Sequence, residues 1–162
     1  MSLERYHQAQ ADQTAGYATA LAEIRKGRKS GHWIWYVFPQ LDGLGRSSTA
    51  RSYALRDLDD ACAYLRDPLL GPRYEEITAA VAEQLADGVS IENLMGGSTD
   101  ALKLVSSLTL FRAAATHLAR GEPGSDFTPL AQLCDSILRR TATQGYAPCQ
   151  FTIEECTGST SR

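Results

Sequence analysis

The chain has 162 residues, of which 43% are hydrophobic and 22% charged, and its formal net charge is -3 at pH 7. This length predicts a single domain that buries about two thirds of the surface exposed by its unfolded chain. The negative charge argues against nucleic acid as a partner, and no apolar run is long enough to span a bilayer. Because residues 1–6 also lack the apolar segment of a signal peptide, we expect a cytoplasmic protein without a membrane partner.

The four cysteines do not indicate a zinc site or a disulfide framework. They are scattered along the chain without a Cys-x-x-Cys pair, the spacing that structural zinc sites use. We therefore predict reduced thiols and no metal site, and the sequence identifies no cofactor. The residues concerned are Cys62, Cys134, Cys149 and Cys156.

The first part of the chain predicts two helices and a basic segment. Residues 3–10 are helical in character, and Asp12 is placed to cap a second helix that runs to about Lys26. This helix ends in residues 25–29, which hold four cations. The cations either stabilise the end of the helix or form a basic surface that lies beside the aromatic residues that follow and faces an anionic ligand.

The chain is organised around an aromatic block, residues 31–45, with the sequence GHWIWYVFPQLDGLG. Every side chain from His32 to Phe38 is large, so the run favours burial or a binding surface. Its residue types favour a strand, although a short apolar run does not by itself distinguish a strand from a helix. Pro39 ends the element in either case.

A glycine-rich turn follows over residues 42–48. Its two glycines permit positive φ and close backbone approach, and Ser47 or Ser48 is placed to cap a helix through Leu55. The turn is either an ordinary connection or an anion site at a helix N-terminus. It matches neither a Walker A loop nor a dinucleotide fingerprint.

The rest of the chain predicts further helices, a loop at residues 121–125 and a short extended piece within residues 144–155. We expect an all-α protein with one helical domain over residues 1–156 and a polar C-terminal tail at residues 157–162. Capping residues, prolines and glycines place the further helices at about residues 57–67, 71–87, 90–95, 100–118 and 126–140.

The helix predicted at residues 100–118 is the most apolar and is expected to be central. One core stripe is Leu104, Leu108, Phe111 and Ala115, and Leu102 and Val105 extend burial to a second face. Polar side chains interrupt this helix at i, i+3 and i+4, where they can meet. They are either a satisfied polar patch, with the lysine paired to a carboxylate, or the wall of a pocket: Lys103, Ser106 and Ser107.

Three motifs resemble the domain-of-unknown-function family 1810, over roughly residues 4 to 112. They are His32-Trp33-x-Trp35-x-x-Phe38-Pro39-Gln40-Leu41-x-Gly43-Leu44-Gly45-x-Ser47, followed by Tyr53; Ala63-Tyr64-Leu65-x-x-Pro68-x-Leu70-Gly71-x-Arg73; and Asp100-x-x-Lys103-Leu104-x-Ser106-Ser107-x-Thr109-Leu110-Phe111. The resemblance implies a compact, mainly α-helical domain and no established reaction. The calpastatin label that some members carry has no physical support in this sequence. After Phe111 the resemblance fades.

The first and the last of these three motifs are the distinctive ones. Together they suggest one cleft, lined by the aromatic block and the Lys103–Ser107 face. It would bind a small molecule, anionic or nucleotide-like in character, because such sites are largely apolar with a few converging polar groups. The catalytic candidates are His32, Lys103 and Ser107, and the ligand-binding candidates are Trp33, Trp35, Gln40, Gly43, Gly45, Ser47 and Ser106.

Two other functions remain open at this point. The aromatic side chains suit a protein-interaction module if they are exposed, because Trp and Tyr dominate interface hot spots. An RNA-binding protein would use residues 25–29 on phosphates and a tryptophan on a base. The sequence specifies neither a reaction nor an oligomeric state.

Overall fold

The computed structural model describes residues 2–121 and 126–160, and over these ranges it contains ten helices and no strand. The all-α prediction is therefore confirmed. The helices are α1 (Glu4–Gln10), α2 (Tyr17–Lys26), α3 (Ile34–Val37), α4 (Ser48–Tyr53), α5 (Leu58–Arg66), α6 (Leu70–Ala86), α7 (Ile91–Met95), α8 (Ser98–Gly121), α9 (Phe127–Thr143) and α10 (Gln150–Thr160).

Helix α8 is the centre of the fold, as predicted, and α5, α7, α9 and α10 pack against it. Its core stripe is fully buried: Leu104, Leu108, Phe111 and Ala115. Val105 is also buried, but Leu102 is 57% exposed, so the prediction that Leu102 extends the buried face is wrong. Successive side chains of an α-helix point about 100° apart around the helix axis. Leu102 therefore lies on the side of α8 away from Leu104.

Side-chain caps begin several of the predicted helices. Ser47, Asp57 and Ser90 each accept a hydrogen bond from a backbone N–H in the first turn of α4, α5 and α7. Asp12 behaves differently, because its carboxylate accepts from the N–H groups of Thr14 and Ala15, and α2 begins only at Tyr17. Asp12 thus stabilises a local turn, a role that competes with helix capping for this residue type.

The aromatic block contains a helix of a single turn, α3. After Pro39 the chain is extended and pairs with residue 55. The Leu55 N–H donates to Gln40 O at 3.0 Å, and the Asp42 N–H donates to Leu55 O at 2.8 Å. This isolated bridge between Leu41 and Leu55 attaches the end of the block to the connection between α4 and α5.

The C-terminal region differs from its prediction. Within the segment expected to be extended, residues 150–155 are helical, and α10 continues to Thr160. Thr152 and Cys156, one turn apart, are buried, and the Cys149 N–H donates to Thr109 Oγ1 of α8 at 3.0 Å. Packing against α8 therefore stabilises a helix that its own sequence does not indicate. The predicted tail at residues 157–162 is helical as far as residue 160, and residues 122–125 of the predicted loop, like residues 161–162, lie outside the described residues.

Across the described part of the chain, every helix is too short or too polar to cross a membrane.

Candidate functional site

A small cleft lies between α3, α4 and α8. It brings together three of the predicted site residues, Trp35, Gln40 and Lys103, together with Tyr53 of α4; the remaining lining residues are Ile34, Phe38, Ala50 and Ala54. The free volume of the cleft is about 10 Å³, which is room for about one water molecule.

Lys103 lies directly over the ring of Trp35. Its ammonium nitrogen is 4.9 Å from the ring centroid, within the distance of a cation–π interaction. The indole nitrogen of Trp35 is buried and has no hydrogen-bond partner. An unpartnered buried donor costs about 1–3 kcal/mol, so this N–H would be stabilised by an acceptor that reached it.

Asp100 is shared between two lysines. Its Oδ2 lies 2.7 Å from the ammonium of Lys29, whose side chain is only 5% exposed. Its Oδ1 lies 3.5 Å from the ammonium of Lys103. The carboxylate that the sequence suggested for Lys103 is thus present, but it is closer to Lys29. The charge of Lys103 is therefore only partly balanced.

A second acidic residue, Glu23, holds the start of the aromatic block in place. Its Oε1 accepts hydrogen bonds from the Ser30 N–H at 2.7 Å, the Gly31 N–H at 2.8 Å and the Trp33 indole N–H at 3.0 Å. Burial raises the pKa of Glu23, but these hydrogen bonds and the charge of Lys29 outweigh burial and hold the pKa below its usual value. Glu23 is therefore ionised at neutral pH, and it orders the segment that leads into α3.

Several predicted site residues are used in packing instead of lining the cleft. Trp33 is fully buried. Ser107 is also fully buried, and its hydroxyl is hydrogen-bonded to the hydroxyl of Tyr74 at 2.9 Å. Ser106 is 8% exposed. His32 is exposed and does not belong to the residues that line the cleft.

The glycine-rich turn contacts protein groups. A Cβ atom at Gly45 would lie 2.4 Å from the Cβ of Ala50, and one at Gly43 would lie 3.2 Å from the ring of Phe151. Gly43 also has a φ of +99°, which glycine tolerates best. The Ser47 hydroxyl accepts from the Ala50 N–H at 3.0 Å. The close approach that the sequence predicted is therefore made to α4 and α10.

The sequence analysis did not identify the two charged residues next to Lys103, Asp100 and Lys29. Asp100 lies three positions before it on the same helix, a spacing that can be read from the sequence. Lys29 belongs to the basic segment, but only the fold brings it to Asp100. Over residues 2–121 and 126–160, no group of three or more His, Cys, Asp or Glu side chains is arranged to hold a metal ion.

These features define an all-helical protein in which an aromatic block and a long central helix enclose a small cleft beside a lysine. The chain belongs to the family described as "Protein of unknown function (DUF1810)", whose model matches residues 1–121. It is similar to the conserved hypothetical protein Rv1873 from Mycobacterium tuberculosis, with 38% sequence identity, coverage of 96% of each chain and a TM-score of 0.77. The search of curated proteins found no significant match.

The two matches end at different points. The family match ends with α8. The similarity to the solved structure covers 96% of this chain, so it extends into the region of α9 and α10.

Proposed function

We propose that the protein binds an anionic small molecule at the cleft between the aromatic block and α8. The observation that carries this proposal is the position of the Lys103 ammonium over the Trp35 ring, in the same cleft as the amide of Gln40. Lysine and the indole N–H are donors without acceptor capacity, and the Trp35 indole N–H has no partner. Such a set favours carboxylate or phosphate oxygens.

The size of the cleft limits the form of the ligand. A free volume of about 10 Å³ is far below the several hundred cubic ångströms of a site that encloses a whole drug-sized ligand. The cleft accepts a single oxygen atom of an anionic group, in place of a water molecule. The rest of a larger ligand lies outside, against the exposed part of Lys103, whose side chain is 23% exposed.

The burial of the aromatic block disfavours the other two functions that the sequence left open. Trp33, Tyr36 and Phe38 are buried, so they are not available as exposed anchors for a protein partner. Burial of Trp33 also removes it from stacking on an RNA base, and of the four cations in the basic segment Lys29 is buried in its ion pair with Asp100. Our proposal is for binding alone, since His32 does not line the cleft and the Ser107 hydroxyl is buried against Tyr74.

An NMR titration tests the proposal. Inorganic phosphate and adenosine monophosphate are added separately while the two indole N–H signals are followed, with the Trp35 signal assigned by its loss in Trp35→Phe. We expect a saturable shift of the Trp35 signal, because the ligand supplies the missing acceptor. Lys103→Met should abolish the shift, whereas Lys26→Met, at an exposed lysine near the end of α2, should leave it unchanged.

Two results would contradict the proposal. One is a Trp35 signal that does not move with either anion. The other is that Lys103→Met binds the anion with the same affinity as the unaltered protein.

A further inference from the structure

A second groove lies along the C-terminal half of α8, where this helix faces α10 and the start of α5. Its volume is about 300 Å³, at the lower end of the range for small-molecule sites. Arg112, which lines the groove, is nine residues beyond Lys103, or about 14 Å along the helix at 1.5 Å per residue. The groove is therefore separate from the Trp35–Lys103 cleft.

One wall of the groove is basic. It consists of Arg112, His117 and Arg120, and none of the described lining residues is acidic. Arg112 is paired through Nη1 with Asp135 at 2.9 Å, and Asp135 also contacts Arg139 at 2.8 Å. His117 and Arg120 are exposed. The wall therefore carries an excess of positive charge in a chain whose net charge is -3.

The floor of the groove is apolar. It consists of Leu58, Ala113 and Cys156. Burial, and then the nearby charge of Glu155, raises the pKa of the Cys156 thiol to about 11, so the floor carries no thiolate at neutral pH. A hydrocarbon group on this floor would be stabilised in proportion to the apolar surface that it removes from water.

We propose that this groove binds an organic carboxylate with an apolar body. The carboxylate lies at His117 and Arg120, and the hydrocarbon lies on Leu58, Ala113 and Cys156. The C-terminal end of α8 disfavours anions, but this effect falls off within the last turn, where Arg120 offsets it. Since Cys156 comes from α10, beyond the residues that the family model matches, the site depends on the C-terminal part of this chain.

Isothermal titration calorimetry with sodium octanoate and with neutral 1-octanol tests the proposal on the full chain. We expect octanoate to bind saturably at one site per protein and octanol to bind about tenfold more weakly, because it lacks the charge that the basic wall recognises. His117→Gln with Arg120→Gln should weaken octanoate binding about tenfold, the value of one hydrogen bond to a charged group. Ala113→Phe should also weaken it, because the larger side chain fills the groove.

Matched variants distinguish binding in this groove from a general effect of positive charge and from binding in the Trp35–Lys103 cleft. Arg25→Gln with Lys26→Gln changes two exposed cations on α2 and should leave octanoate binding unchanged, as should Lys103→Met. All altered positions in the groove are exposed or half-buried, and an unchanged melting temperature confirms that each variant is folded. The absence of saturable octanoate binding would overturn the proposal. So would equal affinity for octanol, or equal weakening in the α2 variant.

Discussion

The ammonium of Lys103 lies 4.9 Å from the centroid of the Trp35 ring. This contact joins the two distinctive motifs of the chain, since Trp35 belongs to α3 and Lys103 to α8. A cation–π interaction at a partly exposed site contributes about 0.5–1 kcal/mol. The contact therefore positions the lysine more than it stabilises the fold.

Lys103→Met should lower the free energy of unfolding by no more than about 1 kcal/mol, because methionine keeps an apolar contact with the ring and removes a partly exposed charge. Urea denaturation followed by circular dichroism measures this change. A variant that is largely unfolded in buffer would instead assign Lys103 a structural role.

Asp100→Ala should lower the free energy of unfolding by about 3 kcal/mol, more than Lys103→Met does. The reason is that it leaves the buried ammonium of Lys29 without its counter-charge. The matched control is Asp59→Ala, since Asp59 is an exposed aspartate in the first turn of α5, and Asp100 lies in the first turn of α8. Comparable losses in the two variants would show that the helix dipole, not Lys29, accounts for the effect.

Glu23→Gln should destabilise the protein at pH 7 by about 1 kcal/mol, a modest value because Glu23 is partly exposed and solvent screens its charge. The folded pKa of Glu23 lies below its usual value. The stability from its charge is therefore complete above the unfolded pKa of about 4.3 and is lost as the pH falls further. Urea denaturation at several pH values should show the stabilities of the wild type and Glu23→Gln converging as the pH falls below the unfolded pKa. A constant difference across this range would contradict the role of the charge.

Leu108→Ala should lower the free energy of unfolding by about 2–5 kcal/mol, through lost burial and a residual cavity. Leu108 is fully buried, whereas Leu102 on the same helix is 57% exposed. Leu102→Ala is therefore the matched control, and its effect should stay within about 0.5 kcal/mol. Equal denaturation midpoints for the two variants would exclude the assigned orientation of α8.

Gly45→Ala should destabilise the turn that borders the cleft by about 1–3 kcal/mol, because the new methyl group would overlap the Cβ of Ala50. At Gly121, in contrast, an added Cβ meets no atom within 4 Å of the described structure, so Gly121→Ala serves as the control in the same denaturation experiment. If Gly45→Ala has no effect, α4 is free to move away from the turn.

Three of the residues that line the cleft could be named from the sequence, but the complete set could not. Trp35, Gln40 and Lys103 were predicted to meet, and all three line one cleft. Trp33 and Ser107 carry the same kinds of sequence signal, yet both are fully buried. Whether such a side chain lines a cleft or is buried depends on what packs against it, and residue type alone does not specify this.

The sequence by itself determined the features that depend on neighbours along the chain. Apolar residues repeating with the helical period placed Leu104, Leu108 and Phe111 in the core, and Ser47, Asp57 and Ser90 begin helices because each side chain reaches a backbone N–H in its own first turn. Only the tertiary structure decided that residues 34–37 and 150–160 are helical and that Lys29 reaches Asp100. Their stability comes from burial and charge pairing between segments distant in sequence, and local patterns carry no information about such partners.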